Sequence, residues 1–354
     1  MKKLLALSVG MLLLLCCVGC GAQQVTGDDM QNDPGTPDNA VEEIHYYNPL
    51  TNMEVEQPIS NRILAVSIDN HPDARPQYGV SDADIVYEVP AEGQIPRLIG
   101  IFYGTAPQQV GGVRSARPYI VDIAREWGAL MVHCGGSTDA LNYLSRGIVD
   151  DLNEIAYGSY FWRDTSRYAP HNLMTSGENL YKFLSDRGYS TVSENVRQLT
   201  FMADNELAAG EKIDRIQVKY MWADNVYIYD RSLGCYNRIT DDEPYVDAAN
   251  GAPLRISNII VQQVKSYIAD SMGHLSIDMC AGGEAWLFTG GRMQHGTWSR
   301  ADLDSPTIFL DDNGNEFRLN TGQTWIEIVD GDTSLSYENT AEETSQENMG
   351  SASE

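Results

Sequence analysis

Two textures of apolar and polar positions follow one another along this chain. From residue 60 to about residue 200, short apolar runs alternate with segments of helical period. Arg62-Ile-Leu-Ala-Val-Ser-Ile68 is a buried strand by its apolar run, and Asp84–Val89, Arg97–Tyr103 and Ala129–His133 read the same way. Tyr119 to Trp127 carries apolar residues at helical spacing directly after Pro118, a residue suited to a first helical turn. Residues 139–145 and 178–187 are also predicted helical. Strands and helices in mixed order imply a layered α/β domain. From about Ile213 onward strands dominate: Asp224–Asp230, Ile256–Tyr267, Glu284–Thr289 and Thr307–Leu310, separated by Gly- and Asn-rich turns. Asp312-Asn313-Gly314-Asn315 predicts a hairpin, because Asn-Gly tolerates the positive φ of a tight turn. The expected fold class is therefore α/β: a layered sheet-and-helix N-terminal domain of three-layer sandwich type over 58–200, and a smaller β-rich C-terminal domain over 213–332.

The two ends differ from this interior. Lys2 and Lys3 precede an apolar run from Leu4 to Val18, followed by Gly19-Cys20. A run of that length is too short to span a bilayer and has the order of an export signal. Residues 1–19 read as a lipoprotein signal peptide and Cys20 as the lipidated residue, although Cys17 stands where such signals usually carry Leu. The membrane is thus the first expected partner, with the chain anchored on the extracytoplasmic face. Between Gly21 and Ser60 there is no Lys or Arg, and Asp, Glu, Pro and Gly are interleaved. Residues 20–57 are expected to be an acidic disordered tether, and 338–354 a disordered acidic tail.

Composition narrows the function classes. A formal net charge of -26 argues against nucleic acid as a partner. Beyond the leader and Cys20 only Cys134, Cys235 and Cys280 remain, an odd number that fits no disulfide framework; a Cys235–Cys280 pair stays open. None of these three stands in a C-x-x-C pair, so a structural zinc site is not indicated; no metal centre and no cofactor are expected. G-x-S-x-G, Walker A, H-E-x-x-H and G-x-G-x-x-G are all absent, which removes several enzyme classes as defaults.

Candidate chemistry is densest between Gly111 and Asp139. Gly111-Gly-Val-Arg-Ser-Ala-Arg117 sets two guanidiniums three residues apart, and a strand then ends in His133-Cys134-Gly135-Gly136-Ser137-Thr138 before a helix. A Gly-rich strand-to-helix turn exposes backbone N–H groups. If Arg114 and Arg117 converge on Gly135, Gly136, Ser137 and Thr138, the product is a small anion site. The structural alternative is that Ser137 or Thr138 caps the helix while the arginines pair with Asp122 or Glu126. A second group, Asp69, Asp73, Asp84, Glu88 and Glu92, could supply the two carboxylates of a glycosidase, or simply lie on solvated faces or pair with Arg75 and Arg97. A third, Phe161-Trp162-Arg163-Asp164 with Arg167-Tyr168 and His171-Asn172, has the aromatic and charged mixture that binds sugars or peptide ends, or clamps a loop. Cys134 follows His133, but strand neighbours point to opposite faces, so it reads as a small buried residue rather than an activated nucleophile.

Assembled, these segments resemble the YerB-like lipoproteins, a two-domain bacterial family of unknown function. The resemblance rests on Ala65-Val-Ser-Ile-Asp69-Asn70, Ala74-Arg75-Pro76-Gln77, Gly79, Ala83-Asp84, and Glu92-Gly93 before Arg97. Val113-Arg-Ser-Ala-Arg-Pro-Tyr119 and His133-x-Gly-Gly-Ser137 continue it, with Trp162-Arg163-Asp164 and Ala169-Pro-His-Asn-Leu173. In the C-terminal half it runs through Gly296-x-Trp298 and Gly322-Gln-Thr-Trp-Ile326. It covers residues 58 to 332 and implies an α/β first domain and a membrane-anchored extracellular placement, but no reaction. The leading functional expectation is a binding or regulatory module at a Gram-positive-type cell wall. Its ligand would be an anion, a glycan or a peptide end held by Arg114, Arg117 and residues 135–138, with Asp164, Arg167 and His171 flanking. The expected partner is wall glycan, peptide or another envelope protein. The alternatives are a wall hydrolase using Asp69, Glu88 or Glu92 with His171, and an envelope scaffold without a ligand.

Overall fold

The predicted apolar runs become the centre of an eleven-stranded sheet. Strands β1 (Leu64–Ile68), β2 (Ile85–Val89), β3 (Arg97–Phe102) and β4 (Leu130–His133) carry almost no exposed residue, because both faces of this part of the sheet are covered. In β1, Leu64, Val66 and Ile68 enter one core and Ala65 the other. Helices α1 (Pro118–Glu126) and α2 (Thr138–Leu144) supply the first core. The second is closed by helix α4 (Gly177–Arg187), which follows the one-turn helix α3 (Glu154–Tyr157), and by a five-stranded antiparallel sheet. That sheet is built on β6 (Arg215–Tyr220), β7 (Ala223–Asp230) and β8 (Cys235–Thr240), after the short edge strand β5 (Asp151–Asn153) of the large sheet. The computed structural model describes residues 44–340. The expected signal peptide 1–19, Cys20, the expected tether up to residue 43 and residues 341–354 of the expected tail lie outside the described residues; Glu338, the first residue of that tail, instead ends a strand.

Two expectations change. The fold is mixed and sheet-rich, with only four α-helices among the described residues, rather than an α/β sandwich. The physical reason is that one covering layer is largely a second sheet, whose Ile216, Val218, Tyr220 and Tyr227 take the place of helices. The expected tether also ends earlier than residue 57. Tyr46–Tyr47 pairs with Glu54–Val55, Leu50 is fully buried, and Asn48 Nδ2 donates to the buried Asp84 carboxylate at 2.7 Å. Two apolar and polar anchors in a short acidic stretch are enough to fix it.

The second half continues the large sheet. Strands β9 (Asn258–Gln263), β12 (Gly282–Thr289), β13 (Arg292–Ser299) and β14 (Ile308–Asp311) extend it, while β10 (Ser266–Ile268) and β11 (Leu275–Ile277) form a separate hairpin. The single strand expected over Ile256–Tyr267 is thus two: the chain leaves the sheet after Gln263. The Asn-Gly turn forms as predicted, with Gly314 N–H donating to Asp311 O at 2.9 Å and Phe317 N–H to Phe309 O at 3.0 Å. Strand β15 (Thr324–Val329) then inserts between β9 and β2, parallel to both, and β16 (Ser334–Glu338) returns to the five-stranded sheet. Gln323 Nε2 donates to the carbonyls of Val80 and Ala83 at 2.9 and 2.7 Å. Residues 58–200 and 213–332 therefore share one sheet.

Charged groups lie inside this seam. Glu327 on β15 sits in register with Glu88 on β2, and both are fully buried. Arg238 answers them, 2.7 Å from Glu88 and 3.8 Å from Glu327, with its guanidinium 4.3 Å from the Trp325 ring centre. Asn70 and Asn225 donate to Glu88 at 2.9 and 3.0 Å, and Tyr227 binds Glu327. Burial and the neighbouring Glu88 push the Glu327 carboxyl up to about 8. Glu88, expected as a hydrolase candidate, has no access to a substrate.

Candidate functional site

Arg114 and Arg117 lie three residues apart on extended backbone, so their side chains leave on opposite sides. Arg114 Nε reaches Asp69 at 2.9 Å. Arg117 instead makes a two-bond fork to Glu92, Nη2 at 2.9 Å, and donates from Nη1 to Ala116 O at 2.7 Å. Neither pairs with Asp122 or Glu126. Arg97 also reaches Glu92, at 3.2 Å, so two guanidiniums face one carboxylate and one positive charge is left over. Burial alone would raise the Glu92 carboxyl, but the Arg117 bond and the charges of Arg97 and Arg117 outweigh it and hold it below the ordinary range.

The Gly-rich turn does lie against this segment. Ala116 N–H donates to Gly135 O at 2.9 Å and Ser137 N–H to Ala116 O at 3.3 Å. Its amides are mostly engaged within the protein: Cys134 N–H on Arg114 O at 2.9 Å, Gly135 N–H on Asn153 Oδ1 at 2.9 Å. Gly135 has φ +61, the left-handed region a glycine reaches without strain. Gly136 touches Ala116, and Ser137 caps α2, accepting from Ala140 N–H at 3.3 Å. His133 is a satisfied core residue, 2.7 Å from Gly135 O and 3.0 Å from Asp151. Burial and the adjacent Glu154 push the Cys134 thiol up to about 11, which removes it as a nucleophile. All three described cysteines are free thiols.

Beside the turn opens a cavity of about 360 Å³, between α1, the start of α2 and the β10–β11 hairpin. Its floor is buried: Arg117, Tyr119, Ser137, Leu275 and Ile277. Its rim is exposed and acidic, with Asp139 and Asp270, and aromatic through Tyr267. Tyr119 is 1 % exposed, and its hydroxyl has no hydrogen-bond partner. A buried, unpaired hydroxyl costs about 1–3 kcal/mol.

The remaining predicted residues gather elsewhere. Arg167 donates to Ala74 O at 2.7 Å and lies 4.7 Å above the Tyr78 ring, and Asp164 accepts from Ser166 N–H at 2.8 Å. They clamp the 161–172 loop, the bland reading of that group. His171 Nδ1 lies 2.7 Å from the Asp69 carboxylate and its ring stacks on His71, with centres 4.7 Å apart. Asp73 completes a group able to hold a metal ion.

With this geometry in hand, comparison with known proteins is decisive for kinship. Residues 50–190 match the N-terminal domain of a "Protein of unknown function (DUF3048)" family, and residues 216–326 its C-terminal domain. A Bacillus subtilis (strain 168) protein named "Putative lipoprotein YerB" is 35% identical over 288 residues, 79% of this chain and 85% of the relative. The chain belongs to the YerB-like DUF3048 family. The crystal structure of YerB from Bacillus subtilis superposes with a TM-score of 0.75 at 33% identity, over 82% of this chain and 99% of that one. The YerB-like relative's name carries the lipoprotein assignment; no helix among the described residues is long and apolar enough to cross a membrane.

Sequence reasoning placed Arg117, Ser137 and Thr138 together, and all three line the cavity. It missed Tyr119, whose i, i+1 neighbours mark it only as an apolar helix position, and the β10–β11 hairpin, hidden inside one long apolar run. It also missed His71, because nothing local ties that residue to His171.

Proposed function

We propose that this YerB-like protein is a lipid-anchored, extracytoplasmic binding module whose cavity takes a peptide end or glycan of the cell wall. The buried floor of Arg117, Tyr119 and Ser137, with a Tyr119 hydroxyl that no group among the described residues completes, carries the reading. The surplus guanidinium charge of the Arg97–Glu92–Arg117 cluster favours a carboxylate at the floor, while Asp139 and Asp270 at the rim favour an amine or hydroxyls. A short free peptide presents both, a carboxylate at one end and an amine at the other. The leader with Cys20 and the name of the relative support the anchor.

Thermal shift of the full chain in detergent micelles tests it, with an alanine dipeptide, its C-terminal amide, inorganic phosphate and an N-acetylglucosamine oligomer as probes. The dipeptide should raise Tm more than its amide. Tyr119→Phe deletes an unpaired hydroxyl, so the unliganded protein should keep or slightly gain stability. Its dipeptide affinity should fall about 10–100-fold, the worth of a hydrogen bond to a charged group. Arg117→Lys should also lose the shift, since an ammonium cannot reproduce the fork. Equal shifts in wild type and both variants, or none with any probe, refute the reading.

A further inference from the structure

A second centre lies away from the cavity, where two proline-bearing loops meet. One, His71-Pro72-Asp73, follows β1; the other, Ala169-Pro170-His171, precedes the short strand Leu173–Thr175. One ring nitrogen from each histidine and a carboxylate oxygen of Asp73 lie within 4.8 Å of one another. We propose that His71, Asp73 and His171 form a binding site for a divalent transition metal of the zinc class.

Three observations support the chemistry. First, His171 Nδ1 is 2.7 Å from the Asp69 carboxylate. A carboxylate can only accept, so Nδ1 carries the proton and Nε2 presents its lone pair outward. This carboxylate–histidine pair is the arrangement that fixes a ligating imidazole. Second, His71 Nδ1 holds a lone pair on the Asp73 side, accepting from Asp73 N–H at 3.2 Å, and lies 3.6 Å from the Asp73 carboxylate. Tetrahedral zinc with bonds of about 2.1 Å sets its ligand atoms about 3.4 Å apart, so this edge already has ligand spacing, and binding turns the Nδ1 lone pair from Asp73 N–H to the metal. The remaining closure falls on His71 and Asp73, whose side chains are 34% and 74% exposed and free to turn, while His171 at 13% stays fixed. Stacking of the two rings is then the metal-free arrangement, which His71 leaves on binding. Third, the three nearby guanidiniums already have carboxylate partners: Arg114 on Asp69, Arg75 on Asp241 and Arg167 on Asp164. Two imidazoles and one carboxylate with a fourth position open to water suit Zn²⁺ over the hard, all-oxygen cations.

The test uses the full chain in micelles, stripped with a chelator and titrated with Zn²⁺ and, for its visible spectrum, Co²⁺. One equivalent should bind, and Co²⁺ should give the intense bands of four-coordination. His71→Ala removes a half-buried ligand together with its stack on His171 and its bond from Asp73 N–H, so it should abolish both signals at a small cost in metal-free Tm; His171→Ala should abolish them too. Asp69→Asn, which alters the positioning group and also leaves the Arg114 charge unpaired, should weaken binding about 10–100-fold. His295→Ala, a distant histidine, should bind like wild type. Absence of stoichiometric binding, or binding that survives both His71→Ala and His171→Ala, overturns the proposal.

Discussion

Two buried glutamates in one cluster should respond very unequally to the same substitution. Glu88 pairs with Arg238 at 2.7 Å, whereas Glu327 is 3.8 Å away and is pushed up to about 8 by burial and by Glu88. Glu327 is therefore protonated in the folded protein at neutral pH. The local geometry accommodates that proton: Tyr220 Oη is 2.8 Å from Glu327 Oε2 and 3.0 Å from Ile328 O, so a protonated Oε2 can donate to Tyr220 while Tyr220 donates onward. Glutamine reproduces this arrangement, and Glu327→Gln should cost less than about 1 kcal/mol at pH 6. The folded value lies above the unfolded 4.5, so this group's stabilisation is complete below pH 4.5 and is lost as pH rises toward 8. Between pH 6 and 8 the loss is two units at 1.36 kcal/mol each, on the order of 3 kcal/mol. Wild type should show it in urea unfolding at stepped pH, and Glu327→Gln should lack that component. Glu88→Gln strips Arg238 of its partner and should cost about 3–5 kcal/mol at pH 6, less whatever Glu327 recovers by ionising. A Glu327→Gln loss as large as that of Glu88→Gln at pH 6 would show that Glu327 is a carboxylate and refute the reasoning.

Other expectations are simpler to check. Cys134 should resist iodoacetamide at pH 7.5 and react only as pH approaches its raised value near 11, read by mass spectrometry of its peptide. Protease should enter the exposed 203–207 stretch, yet the nicked halves should co-elute until denaturant is added, because β15 is hydrogen-bonded to β2; separation in buffer would contradict the shared sheet. Cys20→Ala should move the chain from the membrane fraction to the medium or leave an uncut precursor, and unchanged lipid labelling would exclude Cys20 as the anchor.

The strands of the first half were legible because burial on both faces writes itself as unbroken apolar runs, as in Leu64–Ile68. Pro118 and Ser137 likewise announced their helix starts. Strand β13, Arg-Met-Gln-His-Gly-Thr-Trp-Ser, carries too few apolar residues to be recognised, and its pairing comes from its neighbours. The sequence allows Asp69 and Glu92 to pair with Arg75 and Arg97, and Arg97 does reach Glu92, but it does not join Asp69 to Arg114 or Glu92 to Arg117, since pairing across loops leaves no local periodicity. Gly322-Gln-Thr-Trp-Ile326 stood out as a motif without a role. Its role is positional: Gln323 anchors to Val80 and Ala83, Trp325 lies under Arg238, and any Cβ at Gly322 (φ +123) would meet Ser257 Oγ at 2.1 Å.

The insertion of β15 also has a consequence in time. As the chain emerges from its N-terminus, β2 can find β3 at once, but its other edge must wait for residues 324–329, almost the last of the fold. Until then a bare strand edge, apolar but for Glu88, stands open to any other chain that offers hydrogen bonds. Closing it late also makes the decisive contact one of the longest loops in the molecule, which slows folding. A cell that makes this protein has to keep the waiting edge of Ile85–Val89 out of reach of its neighbours, and a truncation that removes only the last strands would leave that edge permanently uncovered.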